Sequence, residues 1–359
     1  MKRYVADFIS DSDKDSRIRS VLEPILAEYG GSGFSLLRGC DEFMRAAENG
    51  DLAGSSVILA ADIGEGGVSF PALKLIDFIW QHRRSDMLKG SVWGLIIDGK
   101  EDFFTKDLGR RLAFTINAAG GTFPGKPLVE ATGSLKNFKT IAGVWNVSLM
   151  EAYGKSCRLL IDKVCNFKFP KSSHPSILAI HASNMKTSNS LALWNMTESL
   201  IRDKSDTELI SIRNGQLWDC RGCKYEDCLH FGERGDCFYG GVMVEKVYPA
   251  ILKSDVLVLI CPNYNDSVSA NIMAFINRLT ALFRAKDFSR KKIYAVIVSG
   301  YSGGDLVAQQ IIGAINMNKN LILPPRFTLM ATANNPGEAE TIPGIEEQVA
   351  DFAERIIGA

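Results

Sequence analysis

Four short stretches hold the side chains that could do chemistry in this chain. The first is Ala182-Ser183-Asn184-Met185-Lys186-Thr187-Ser188-Asn189-Ser190. Small hydroxyl and amide side chains with open backbone N–H groups at a helix start make a phosphate cradle, and Lys186 adds a positive charge. The same residues also make an ordinary N-cap, because Ser and Asn are what helix starts prefer. The second is Pro262-Asn263-Tyr264-Asn265-Asp266, which follows the apolar run Val256 to Cys261 and precedes a helix marked by Ile272, Phe275, Ile276 and Leu279. Open α/β sheets take their ligands in such loops, beyond the carboxyl ends of buried strands. The third, Ser299-Gly300-Tyr301-Ser302-Gly303-Gly304-Asp305, is rich in small residues that let backbone approach a flat ring. A plain strand-to-helix turn with Asp305 as N-cap fits it equally. The fourth is the run Cys220-x2-Cys223-x4-Cys228-x8-Cys237. Four thiolates can hold a 4Fe–4S cluster or a structural zinc, and free thiols remain an equal reading.

The elements that must position these stretches alternate strand and helix. Strands are expected at Ile177 to Ala182, Thr207 to Ile212, Val256 to Cys261, Ile293 to Ser299 and Arg326 to Ala331. Helices are expected at Asn189 to Arg202, Gly241 to Leu252, Ser269 to Phe283, Asp305 to Met317 and Ile345 to Ile357, with a cysteine loop after the second strand. Five strands with covering helices predict a doubly wound parallel sheet.

The pattern occurs twice, about 200 residues apart. Val57-Ile58-Leu59-Ala60-Ala61 lies over Val256 to Ile260, and Ser69 to Ile79 lies over Ser269 to Leu279. Gly94 to Gly99 lies over Ala295 to Gly300, and Pro124, Ala131 and Thr132 meet Pro324, Ala331 and Thr332. Order and spacing agree throughout, which implies an internal duplication. The linker is Phe167 to Ser176, FKFPKSSHPS, so the expected domains are 1–170 and 171–359.

The second copy resembles the NAD(P)H-dependent FMN reductase and iron–sulfur flavoprotein group of the flavodoxin-like superfamily. The resemblance rests on Ser183, Asn189 and Ser190 in the first loop, on Pro262, Tyr264 and Ser269-Ala270, and on Asn277-Arg278, where the group usually has Asp before Arg. It implies two tandem flavodoxin-like sheets of strand order 2-1-3-4-5. It also implies FMN held by Ser183, Lys186, Ser188, Asn189, Ser190, Pro262, Asn263, Tyr264, Asn265, Ser299, Gly300, Gly303 and Gly304, with NAD(P)H as electron donor. The acceptor would be free flavin, a quinone, another small molecule or a redox protein. A 4Fe–4S cluster at Cys220, Cys223, Cys228 and Cys237 is the metal the resemblance favours over zinc, although the group's spacing between the second and third cysteines is tighter. An electron-carrying iron–sulfur flavoprotein and a non-enzymatic scaffold are the rival functions. In the first copy Ile9-Ser10-Asp11-Ser12-Asp13-Lys14-Asp15-Ser16 and Ile63-Gly64-Glu65-Gly66-Gly67 replace the phosphate and ring loops. Three aspartates repel a phosphate. That copy is read as a flavin-free repeat standing in for the dimer partner common in the group.

Composition removes other classes. Lys plus Arg and Asp plus Glu balance at 41 each, which offers nothing to nucleic acid or an anionic membrane surface. Acidic residues in MKRYVADFISDSDKDSR argue against a signal peptide, and no apolar run nears the roughly 20 residues of a membrane span. The expectation is a soluble cytoplasmic protein. Cys40, Cys157, Cys165 and Cys261 are scattered and read as packing residues. The four histidines lie apart without a triad pattern, so the chemistry would belong to a cofactor.

Overall fold

The computed structural model describes residues 1–9, 16–30, 33–213 and 217–358. The chain divides into two units, Met1–Lys168 and Phe169–Ala359.

The first unit contains β1 (Arg3–Phe8), α1 (Arg17–Glu28), β2 (Ser35–Arg38), α2 (Gly39–Glu48), β3 (Ser56–Ile63), α3 (Phe70–Gln81), β4 (Val92–Gly99), α4 (Thr105–Ala118), β5 (Leu128–Ala131), α5 (Lys139–Trp145) and α6 (Leu149–Cys165). Its sheet is parallel in the order β2-β1-β3-β4-β5. Strands β3 and β4 are almost wholly buried, as their largely apolar sequences suit central parallel strands. Helices α1 and α6 pack on one face around Ile18, Leu22, Tyr153, Leu160 and Ile161. A capping box fixes the start of α6: Ser148 Oγ accepts from the Glu151 N–H, and Glu151 accepts from the Ser148 N–H.

The second unit contains β6 (Ser176–His181), α7 (Asn189–Ile201), β7 (Asp206–Ser211), α8 (Tyr225–Glu233), α9 (Tyr248–Lys253), β8 (Val256–Pro262), α10 (Ala270–Arg278), α11 (Thr280–Ala285), β9 (Lys292–Ser299), α12 (Gly304–Ile311), β10 (Thr328–Thr332) and α13 (Ile345–Ile357). Its parallel sheet runs β7-β6-β8-β9-β10, the same 2-1-3-4-5 order. The fold is therefore α/β, with two tandem doubly wound flavodoxin-like sheets. The duplication is visible element by element: β4 spans 92–99 and β9 spans 292–299, while β5 begins at Leu128 and β10 at Thr328.

Three details differ from the expected elements. The cysteine loop contains a helix, α8, packed on α11 at Gly232, where a Cβ would overlap the Ala281 carbonyl. The helix expected from Ser269 to Phe283 breaks at Leu279 into α10 and α11. Wide π-type turns, Met243–Val247 and Ile312–Met317, occupy parts of the Gly241 to Leu252 and Asp305 to Met317 helices. Among the described residues no helix is long and apolar enough to cross a membrane.

Lys292 opens β9 and is only 1% exposed. Its ammonium lies over the Phe169 ring at 5.2 Å, and burial pushes its pKa down to about 8, against a smaller opposing pull from Asp255. A depressed lysine pKa means the unfolded chain binds more protons between about pH 8 and 10.5, so stability should rise with pH through that window. Lys292→Met is expected to stabilise the fold at pH 7 by on the order of 1–3 kcal/mol, an advantage that shrinks toward pH 10. Urea midpoints of both proteins at pH 7, 9 and 10 check this; parallel pH curves would disprove it.

Candidate functional site

The carboxyl ends of β6, β8, β9 and β10 bring the three polar loops of the second unit together. Strand β6 ends at the buried His181, whose Nδ1 accepts the Ser183 N–H at 3.3 Å. Burial lowers the His181 pKa, consistent with a neutral ring acting as acceptor. Ser183 is fully buried, and its Oγ has no hydrogen-bond partner. A buried hydroxyl without a partner is unfavourable, which sets this atom apart from the other hydroxyls of the loop. Asn184 Oδ1 accepts the Lys186 N–H at 3.0 Å, which turns the loop and leaves Lys186 exposed. Ser188 is the observed N-cap of α7: it accepts from the Leu191 N–H at 3.3 Å and lies 3.0 Å from Ser190 Oγ.

Asn189 does something the sequence did not suggest. Its amide donates to the Asn335 carbonyl at 2.8 Å, and its Oδ1 accepts the Ala339 N–H at 3.4 Å. The side chain thus ties the start of α7 to the loop after β10.

The second and third loops interlock. Asn263 Nδ2 donates to the Ser302 carbonyl at 2.8 Å and to Ser299 Oγ at 3.2 Å, while its buried Oδ1 has no partner. Tyr264 and Ser267 close a tight turn over Asn265 and Asp266, both with positive φ. Gly303 has φ +83°, and a Cβ there would overlap Asp266 Oδ1 and stand 2.9 Å from Asn263 Nδ2. Only glycine fits that backbone and that contact. Asn334, which sequence reasoning missed, joins from the loop after β10: its Nδ2 donates to Tyr301 Oη at 3.3 Å, and its Oδ1 is 3.1 Å from where a Gly300 Cβ would sit. Pro262 is partly buried at the end of β8, Gly304 opens α12, and the Tyr264 and Tyr301 rings are exposed.

The first unit resolves the same strand ends differently. Arg17, the first residue of α1, makes a two-pronged ion pair with Asp98 at 2.6 and 3.0 Å and donates to the carbonyls of Gly133 and Thr132. Arg17 opens α1 as Asn189 opens α7, and by strand register Asp98 matches Val298. The second and third loops interlock here through the Phe104 ring, which stands where a Gly67 Cβ would be; Phe104 itself has φ +70°. The aspartates of the first loop, Asp11, Asp13 and Asp15, lie outside the described residues.

The cysteine segment runs across the edge of the second unit. Cys220 and Cys223 are exposed, Cys228 and Cys237 are half-buried, and all four are free thiols. Burial pushes the Cys228 thiol up; Arg284 opposes this, and the neighbouring Cys220, Cys223 and Cys237 reinforce it. The four therefore share one neighbourhood, although among the described residues no three Cys, His, Asp or Glu side chains converge to hold a metal ion as they stand. Both ends of the segment are tied to the C-terminus of α10. Asn277 Nδ2 donates to Asp219 Oδ1 at 2.9 Å, and that oxygen also accepts the Cys220 N–H. Arg278 Nη2 donates to the Gly240 carbonyl at 2.9 Å, and the Gly240 N–H donates to the Cys237 carbonyl. This explains the Asn in place of the group's Asp: a carboxylate at 277 would face that of Asp219.

A doubly wound parallel sheet of order 2-1-3-4-5 with polar loops at its carboxyl end defines a flavodoxin-like fold. Residues 175–335 match the NADPH-dependent FMN reductase family. An iron-sulfur flavoprotein of Archaeoglobus fulgidus is 30% identical over 140 residues, 38% of this chain and 69% of that protein. The chain belongs to this family of flavin-dependent oxidoreductases. Among solved structures, RosB with a bound intermediate aligns at 11% identity over 51% of this chain and 79% of that one, with a TM-score of 0.40. An FMN-dependent NADH-azoreductase from Bacillus anthracis in complex with FMN aligns at 10% identity over 51% and 99%, with a TM-score of 0.34.

Proposed function

We propose that the chain is an NAD(P)H-dependent oxidoreductase that holds one FMN in its second unit and passes electrons to a small acceptor such as free flavin or a quinone. The observation that carries this reading is the fully buried, unpartnered Ser183 hydroxyl at the entrance to α7. A phosphate oxygen supplies the acceptor that this hydroxyl lacks, and the α7 N-terminus supplies a favourable field for its charge. Lys186 adds a mobile cation beside it. The buried Asn263 Oδ1 offers an acceptor to a ring or hydroxyl donor, and the Gly300–Gly304 backbone allows close approach of a flat ring. Bound FMN supplies the hydride-accepting and electron-donating chemistry. The protein's share is to hold it, to exclude water along its buried edge, and to leave the Tyr264 and Tyr301 side open to donor and acceptor.

The first unit takes no flavin in this reading, because the Arg17–Asp98 pair already occupies the ends of β4 and β5. Full-length protein saturated with FMN and freed of excess should carry one FMN per chain. A ratio near two, or no binding at all, would overturn the proposal.

A second reading is favoured by the cysteine segment. Four thiols within one tethered segment are the donor chemistry of an iron–sulfur or zinc centre. Cys220, Cys223, Cys228 and Cys237 would hold such a centre, and an iron–sulfur cluster there would serve as a one-electron relay for the flavin.

A further inference from the structure

Arg278 is among the largest fully buried side chains of the protein, at 2% exposure. One of its guanidinium nitrogens donates to the Gly240 carbonyl; Nε and Nη1 have no hydrogen-bond partner. Arginine does not lose its proton in a protein, so burial leaves a full positive charge in a poorly solvating place. Such a charge is strongly unfavourable unless something negative lies close. The carbonyl it does reach belongs to the turn that carries Cys237, and the adjacent Asn277 reaches, through Asp219, the residue that begins the cysteine run. Tyr248 completes the anchoring by donating its hydroxyl to the Arg278 backbone carbonyl at 2.6 Å.

We propose that Arg278 is the buried counter-cation of a dianionic tetrathiolate centre formed by Cys220, Cys223, Cys228 and Cys237, and that Asn277 and Arg278 together position the two ends of that segment. The inference rests on the second reading above. Free cysteines are mostly neutral near pH 7 and give a guanidinium little to pair with. Metal binding expels the four thiol protons to solvent and leaves four thiolates. A zinc ion with four thiolates and an oxidised 4Fe–4S cluster with four thiolates each carry a net charge of about minus two. Either one supplies the negative partner that Arg278 lacks.

The test uses full-length protein purified anaerobically and reconstituted separately with iron plus sulfide and with zinc. Wild type, Arg278→Met, Arg278→Lys and Asn277→Asp are compared for metal content, for the rate of metal loss to a chelator, for FMN content and, where iron and sulfide bind, for midpoint potential. Arg278→Met should lose metal about ten-fold faster than wild type. Its cluster potential should fall, because removing a positive charge disfavours the reduced state; a ten-fold change in that preference corresponds to about 59 mV for one electron. Arg278→Lys should stay near wild type, and Asn277→Asp should release metal faster through repulsion from Asp219. FMN content should be unchanged in all four. Wild-type protein that takes neither metal overturns the second reading and this proposal with it. Wild type that loads while Arg278→Met keeps its metal and potential overturns the role of Arg278 alone. If Arg278→Met does not fold, as FMN content and melting would reveal, Arg278→Lys decides: fast metal loss there would mean that the charge is not what matters.

Discussion

Replacing Ser183 with Asp should weaken FMN binding by at least one to two decades. The substitution removes a hydroxyl donor from a fully buried position and puts a carboxylate where the proposed phosphate lies. A lost hydrogen bond to a charged group costs roughly 1.5–3 kcal/mol, which is about one to two decades in affinity, and like-charge repulsion adds to it. Ser183→Ala separates binding from folding. It should weaken FMN binding by a similar hydrogen-bond increment while leaving the flavin-free protein as stable as wild type or more so, because the hydroxyl it deletes has no partner in the fold. Fluorescence titration of FMN and thermal melting of both variants provide the check. Unchanged affinity in Ser183→Asp would place the phosphate elsewhere.

The second large effect is expected at Gly303. Gly303→Val forces a β-branched residue to φ +83° and drives its Cβ into Asp266 Oδ1 and toward Asn263 Nδ2. The backbone conformation alone costs about 1–3 kcal/mol, and the overlap must also part the second and third loops. FMN occupancy should fall to a small fraction of wild type, with a lower melting temperature. Gly303→Ala, which has the same overlap but no β-branch, should fall between the two. Wild-type occupancy in Gly303→Val would mean that the interlock of these loops does not shape the flavin site.

Much of this architecture could be read before any coordinates. The apolar runs of β3, β4, β8 and β9, short and followed by small or polar loop residues, read as central parallel strands, and their recurrence near a 200-residue interval exposes the duplication. The loops between them were legible because ligand sites in such sheets lie at the carboxyl ends of strands. What stayed hidden were relations between residues distant in sequence. Asn189 reads as a phosphate-loop residue in its local motif, yet its partners are Asn335 and Ala339. The helix Tyr225–Glu233 is short and mostly exposed and is held by contact with α11, which local pattern does not register. Arg278 enters the sequence reading only as half of the Asn277-Arg278 match, and its burial with two idle nitrogens is visible only in the structure. Asn277 illustrates the same point: the departure from the family residue makes sense only beside Asp219.

The Arg17–Asp98 pair has a consequence for how the two halves depend on their surroundings. It closes the ends of β4 and β5 with groups encoded in the chain. The second half keeps buried polar atoms without partners at its strand ends, Ser183 Oγ and Asn263 Oδ1 among them. With FMN bound there as proposed, the stability of that half is linked by mass action to a diffusible vitamin-derived molecule; a ligand at 100 times its Kd adds about 2.7 kcal/mol. On the proposed function, one polypeptide thus joins a half closed by its own side chains to a half whose stability tracks the flavin supply.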